Sequence, residues 1–375
     1  MAGIYIHVPF CRKKCSYCDF HFSTNFEGYR AALISKIGEE IAYRKDELPF
    51  PIETIYFGGG TPSVLHKEEL QVIWDSIAQH YDISSLTEVT LEVNPEDVNE
   101  KNLSVWKSLG VNRLSIGIQS IKESDLRWMN RAHDTTDGFR AVKMAKEFGF
   151  ERINVDVIYG LPNLSMAEWS SALEKVVLLP IDHISAYCLT VEKKTALNNF
   201  IERGQLVIPT EDAITQQFEV LVEKLNLHGF MQYEVSNFAR DGREAVHNTN
   251  YWRGVAYCGF GPSAHSFNGT TRRWNIANNL LYNRVNFSEH SWYEEEMLSS
   301  ENQWNELFLT GLRTKWGVSK EVICRFGGLQ KAEALKLEFW GNQNCITESE
   351  YSISLTRKGM LLADKIAQDF FRLTK

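Results

Sequence analysis

The chain has 375 residues, a formal net charge of −8 and 43% hydrophobic residues, enough for one large domain and a smaller one with a sizeable core. No long basic run appears, which argues against general nucleic-acid affinity, since that rests on neutralising phosphates. No apolar run reaches the length of a membrane span, which leaves peripheral membrane contact open.

Ile4 to Val8 reads as the first strand and Tyr29 to Arg44 as the first helix. Thr54 to Phe57 is a second strand, followed by a helix with Leu70, Ile73, Trp74 and Ile77 on one face, a 3.6-residue period. Glu88 to Val93 and Arg113 to Gly117 alternate like strands, and Gly110 and Gly149 each close a helical stretch. Ile153 to Ile158 and His183 to Thr190 complete six strands, with helices around Ala167 to Val177 and Glu211 to Leu227. This alternation implies parallel strands with crossover helices. The fold class is α/β, a partial six-unit βα barrel over residues 1–235. Tyr233 to Asn275 is rich in aromatic residues, glycine and asparagine, and residues 236–298 read as an irregular connection with short strands.

From residue 299 the pattern changes. A helix (Asn302 to Thr314), a short helix (Lys320 to Phe326), a helix (Leu329 to Trp340), a hairpin (Cys345 to Leu355) and a helix (Lys358 to Arg372) make a small α+β domain of winged-helix type. From Glu301 onward it carries eleven Lys or Arg against nine Asp or Glu. That near balance fits a cap or docking module better than a DNA-binding face, which is normally basic.

The unusual residues gather where strands end, the active face of parallel barrels. Cys11, Cys15 and Cys18 follow the first strand, Gly58-Gly59-Gly60-Thr61-Pro62 the second, and Glu92 with Asn94-Pro95 the third. Gln119 ends the fourth, and Asp156 with Gly160-Leu-Pro162 closes the fifth. Three clustered thiolates without a matching fourth can hold three irons of a 4Fe–4S cube and leave one open, whereas electron-transfer clusters use four cysteines. S-adenosylmethionine suits the open iron, because its amino and carboxylate groups can chelate it. The alternative is a structural zinc completed by His7 or His21. The other cysteines, Cys188, Cys258, Cys324 and Cys345, are scattered. The chain's total of seven cysteines is odd, which, with first residues that read straight into a strand, predicts a reducing cytosol.

Missing side chains at the glycine triplet let backbone approach a ligand, or simply make a tight turn. Glu92 needs a partner, because an unpaired buried carboxylate is costly. A sulfonium or ammonium group would serve, as would an ion pair with Arg113 or Arg131. Gln119 and Asp156 could hold ribose hydroxyls or ammonium, or only tie loops together. Tyr17 could stack on an adenine or merely pack.

The run Tyr5-x-His7-x-Pro9-Phe10-Cys11-x3-Cys15-x-Tyr17-Cys18, with Gly-Gly-Gly-Thr-Pro and Glu92-x-Asn94-Pro95, resembles the radical S-adenosylmethionine superfamily. More narrowly it resembles the oxygen-independent coproporphyrinogen III oxidase group, over nearly the whole chain. The resemblance implies that Cys11, Cys15 and Cys18 ligate the cluster. It implies that Tyr5, Gly59, Gly60, Thr61, Glu92, Gln119, Arg131 and Asp156 bind S-adenosylmethionine, with Tyr17 at the adenine.

Two departures bear on activity. The oxidases carry a further cysteine two residues past the triplet, where this chain has Phe20, and an extension before the first strand. Cys18-Asp19-Phe20 looks instead like the HemW branch of haem chaperones, which also carries His-Asn-x-x-Tyr-Trp, here His247 to Trp252. By that resemblance His247 is the candidate haem-iron ligand or haem-site residue, and His265 a rival. Tyr251, Trp252 and Trp274 offer flat apolar surface for a porphyrin, although a histidine holding loop groups beside aromatic rings would look the same. The implied function is to bind haem as cargo and deliver it to acceptor proteins, such as membrane-bound respiratory enzymes. Oxidative decarboxylation of coproporphyrinogen III is the alternative.

Overall fold

The computed structural model describes residues 1–373. Six parallel strands run in sequence order: β1 (Ala2–Val8), β2 (Ile52–Gly59), β3 (Glu88–Val93), β4 (Arg113–Gln119), β5 (Arg152–Tyr159) and β6 (His183–Cys188). The hairpin of β7 (Met231–Gln232) and β8 (Asn237–Ala239) extends the sheet antiparallel beyond β6. On the far side β9 (Tyr257–Phe260) lies parallel beside β1, followed outward by β10 (His265–Phe267), β11 (Thr271–Asn275) and β12 (Tyr293–Met297). The segment expected to be irregular with short strands therefore supplies, through those strands, one flank of a twelve-stranded sheet. Its glycines and aromatics mark close backbone approaches: a Cβ on Gly259 would lie 2.0 Å from the carbonyl oxygen of His265.

The two-residue period of a strand sorts side chains between two faces. Ile4, Ile6 and Val8 of β1, and Leu114, Ile116 and Ile118 of β4, join the apolar core. That core also takes Leu33, Ile37 and Ile41 from helix Arg30–Tyr43 and Leu70, Ile73 and Ile77 from helix Lys67–His80. Arg30 clamps these two helices, with Nε and Nη2 donating to both Glu69 oxygens at 2.5 and 2.7 Å. The alternate residues, Tyr5, Tyr56, Glu92, Ser115, Asp156 and Tyr187, face inward around a cavity. Gly110 and Gly149 close their helices with φ of 80° and 94°.

At the N-terminal strand ends, helix Val246–Trp252 sits across the cavity floor. Buried Glu88 accepts from the backbone N–H groups of Val246 (2.9 Å) and His247 (3.0 Å), with Arg152 3.5 Å away. A carboxylate at a helix N-terminus satisfies donors that have no partner inside the helix.

Beyond residue 299 a second core forms around Trp304, Phe308, Trp340, Ile353 and Phe370. Its sheet has the order β13 (Val318–Ser319), β15 (Ser352–Leu355), β14 (Ile346–Glu348). The expected last helix is broken into Arg357–Met360 and Ala363–Gln368. Gly359 presses against Cys345, where a Cβ would come within 2.0 Å of the carbonyl oxygen, while Ala363, Ile366 and Ala367 pack into the core. Backbone bonds from Val235 to Arg313 (3.0 Å) and from Lys315 to Tyr233 (2.8 Å) join this unit to the sheet.

Glu88→Ala leaves two helix N–H groups and Arg152 without their buried acceptor. It is expected to lower stability by about 3 kcal/mol, read as a lower urea midpoint. A midpoint unchanged from wild type would show that the helix is held by packing alone.

Candidate functional site

The three cysteines, the nine residues expected at S-adenosylmethionine and His247 line one cavity of about 670 Å³ inside the sheet's curve, whereas the rival His265 does not. The loop carrying Cys11, Cys15 and Cys18 is pinned on several sides. Cys11 N donates to Ser23 O (3.1 Å), Ser16 N to Met129 O (3.1 Å) and Leu197 N to Ser16 O (2.8 Å). The Asn130 amide donates to Lys14 O at 2.9 Å.

The glycine turn lies alongside. Gly60 N donates to Val8 O (2.8 Å) and Thr61 N to Phe10 O (2.7 Å). A Cβ on Gly60 would fall 2.7 Å from both acceptor oxygens, and Gly59 has a φ of 103°. Gly59 and Gly60 therefore require glycine for the turn's close packing on the first strand and the cysteine loop.

Two side chains reach the thiols. Thr61 Oγ1 donates to Cys11 Sγ at 3.3 Å, and Arg131 Nη1 to Cys15 Sγ at 3.5 Å. Arg131 also ties β3 to β4, with Nη2 donating to Asn94 Oδ1 (2.8 Å) and Gly117 O (3.0 Å). Gln119 and Asn130 both adopt left-handed backbone, with φ of 66° and 60°. Such conformations cost about 1 kcal/mol or more and cluster at functional sites. Tyr17 lines the cavity and packs against the apolar group of Met129, Leu161, Leu189 and Leu197.

The residues present fit a cluster. Burial pushes the Cys11 thiol up to about 12 and the Cys18 thiol up to about 11. Only a strongly cationic partner keeps such thiols ionised, as a coordinated metal does. A cube takes one thiolate per iron, which the three cysteines of this loop, all lining the cavity, can supply. The histidines considered for zinc are engaged elsewhere: His7 Nε2 donates to His21 O (2.9 Å), and His21 Nε2 to Asn279 Oδ1 (2.7 Å).

Glu92 is enclosed in the cavity wall and accepts from the Tyr56 hydroxyl at 2.7 Å. Burial pushes its carboxyl up to about 7; the Tyr56 hydrogen bond opposes the rise and Asp156 adds to it. Neither Arg113 nor Arg131 is within ion-pair distance of it, so the ion pair considered from the sequence does not form. A buried acid without a cation is a receptor for one. Asp156 accepts from Asn154 Nδ2 at 2.7 Å and is likewise raised by burial.

His247 lies on the floor with both ring nitrogens occupied, Nδ1 by Thr54 Oγ1 (2.7 Å) and Nε2 by the Tyr251 hydroxyl (2.8 Å). Burial lowers its pKa to about 4, so the ring is neutral. To bind iron, one of these bonds must open. The aromatics expected beside it do not form one surface. Tyr251 lines the cavity, Trp252 lies beside the Arg313 guanidinium (5.8 Å), and Trp274 stacks on exposed His265 outside the cavity. Phe20 stands 69% exposed at the rim.

Sequence reasoning missed Tyr56, Ser115, Asn154 and His183, all cavity-lining, and considered Arg113 only as a partner for Glu92. Strand parity would have found most of them: Ser115 and Arg113 lie two and four residues before Gly117, and Asn154 two before Asp156.

The Radical SAM superfamily profile matches residues 5–176, the class of protein that the parallel sheet and the cysteine loop at its strand ends define. Full-length relatives narrow it. "Heme chaperone HemW" of Bacillus subtilis (strain 168) is 34% identical over 98% of both chains. "Heme chaperone HemW" of Mycobacterium tuberculosis (strain CDC 1551 / Oshkosh) is 32% identical over 98% of this chain and 94% of that one. The chain belongs to the HemW family. Coproporphyrinogen III oxidase (HemN) from Escherichia coli, at 21% identity, shares the fold over 99% of this chain and 90% of that one, with a TM-score of 0.85. The family implies a 4Fe–4S cluster and S-adenosylmethionine as cofactors.

Two outcomes follow. Gly60→Ala is expected to keep far-ultraviolet dichroism while losing most of the cluster's visible absorbance on anaerobic reconstitution; full absorbance would remove the glycine cradle from the account. S-adenosylmethionine affinity, measured by equilibrium dialysis, is expected to fall about tenfold from pH 8 to pH 6, as Glu92 takes up a proton below about 7. Glu92→Gln should bind weakly at both values, and a wild type with a flat profile would contradict the assignment.

Proposed function

We propose that this chain is a haem chaperone that carries a 4Fe–4S cluster and S-adenosylmethionine and hands haem to acceptor proteins, with respiratory enzymes the leading class. The observation that carries the reading is likeness to HemW chaperones over 98% of the chain, joined to Phe20 at the oxidases' further cysteine position. Cys11, Cys15 and Cys18 hold the cluster, and Tyr5, Gly59, Gly60, Thr61, Gln119 and Arg131 shape the bed for S-adenosylmethionine. When bound, the cluster supplies an electron to a sulfonium that can be split to a carbon radical.

The chain's own residues set the terms of binding. Thr61 and Arg131 donate to thiolate sulfur and favour the ligating form. Glu92 receives the cofactor's ammonium, and Asp156 takes ribose hydroxyls while Asn154 steers its carboxylate. Tyr17 flanks the adenine. Haem occupies the part of the cavity bordered by His247, Asn248 and Tyr251, and a swing of the Tyr251 hydroxyl frees His247 Nε2 for iron. Residues 1–235 form the cofactor domain, residues 236–298 supply the haem-side helix, and residues 299–375 act as a docking module. No helix among the described residues is long and apolar enough to cross a membrane. A cytoplasmic protein that meets membrane acceptors peripherally fits this reading.

Haem is expected to titrate saturably into anaerobically reconstituted protein and to move to an apo-acceptor. His247→Ala should weaken that binding by about tenfold or more, with loss of the wild-type Soret position. Absence of saturable haem binding by the wild type rules the reading out. Coproporphyrinogen III with reductant and S-adenosylmethionine should give no protoporphyrinogen; its formation at useful rates would replace the chaperone reading with the oxidase one.

A further inference from the structure

Arg113 opens β4 at the cavity floor and is 4% exposed. Its guanidinium borders the cavity, and among the described residues it has no carboxylate at ion-pair distance and no side-chain or carbonyl acceptor. Its nearest acidic neighbours are committed elsewhere. Glu88 caps helix Val246–Trp252 and faces Arg152, while Asp182 accepts from Ile153 N (2.8 Å) and faces Arg243 at 3.9 Å.

Asn154 and His183, two polar side chains that line the floor with Arg113, carry no charge. Asn154 turns its amide nitrogen to Asp156 (2.7 Å), so its oxygen accepts from His183 Nδ1 at 2.6 Å. His183 Nε2 then accepts from the Tyr233 hydroxyl at 2.8 Å. This chain of bonds fixes His183 as a neutral tautomer that offers no charge to a ligand. Of the other cations on the wall, Arg131 is held at the cysteine loop and Lys13 stands at the rim. Six strand steps, about 20 Å, separate Arg113 from Gln119 at the mouth, so it is not part of the cluster's bed.

Glu88 favours the charged form of Arg113 from a distance, yet no carboxylate bonds to it directly; a buried donor without an acceptor is costly, and the planar fork matches a carboxylate. We infer that Arg113 receives a propionate carboxylate of the porphyrin cargo on the floor that it shares with His247 and Asn248. The inference rests on the haem reading above and names its polar contact. The same carboxylate chemistry is offered by the amino-acid end of S-adenosylmethionine, so both sources are tested.

The experiment compares ferric protoporphyrin IX with its dimethyl ester, each titrated into anaerobically reconstituted wild type, Arg113→Gln and Arg113→Lys, alongside S-adenosylmethionine dialysis. Arg113→Gln is expected to weaken haem about tenfold or more, to leave the ester at its wild-type affinity and to leave S-adenosylmethionine unchanged. Arg113→Lys should recover part of the haem affinity, and it serves if the glutamine variant does not fold. Equal losses for haem and ester would make Arg113 a structural residue and overturn the inference. So would unchanged haem affinity, or a loss confined to S-adenosylmethionine. A wild type that binds no haem removes both this contact and the chaperone reading; a wild type that binds haem without using Arg113 removes only the contact.

Discussion

The two-residue period of six parallel strands is the constraint on which the molecule depends. One face of each strand is apolar and buried under helices. The other carries tyrosines, hydroxyls, carboxylates and an arginine around an enclosed space. Ordinary parallel barrels fill that interior with branched apolar side chains. Here the polar interior must be stabilised by hydrogen bonding within itself, since buried polar groups without partners are expensive. The bonds from Tyr56 to Glu92, from Asn154 to Asp156 and from Tyr233 to His183 do this. Beyond these bonds, Glu92 keeps acceptor capacity and Arg113 keeps donor capacity along the cavity wall.

Position within the cavity separates two kinds of chemistry. At the strand C-termini, the cysteine loop, the glycine turn and Arg131 form a rigid bed built largely from backbone. At the N-termini, helix Val246–Trp252 closes the floor through Glu88 and brings His247 beneath Tyr56, ring centroids 5.2 Å apart. Tyr56 thus touches both regions, through its hydroxyl to Glu92 and its ring to His247. A cofactor at one end and a cargo at the other would share that side chain, a short physical route by which each could sense the other.

Much of this was legible in the sequence. Periodicity gave the six strands and their helices, because an amphipathic pattern is a local property. The strand-end motifs placed Cys11, Gly60, Glu92 and Asp156 at one mouth. What escaped depends on contacts between distant segments. The placement of β9 beside β1 follows from close packing at Gly259 and Gly261, whereas composition gave only short strands in an irregular stretch, not where they join the sheet. Arg113 carried no motif and looked like a partner for Glu92. Only the structure shows that the two stay apart, and that both ring nitrogens of His247 are already bonded.

The central claim is that three cysteine thiolates hold an incompletely ligated cube whose open iron meets S-adenosylmethionine. Iron and acid-labile sulfide analysis of anaerobically purified protein, joined to electron paramagnetic resonance of the reduced sample with and without S-adenosylmethionine, tests it most directly. The account predicts about four iron and four sulfide per chain and a reduced-cluster signal that changes when the cofactor is added. Stoichiometric zinc without sulfide, or a cluster signal indifferent to S-adenosylmethionine, would contradict it.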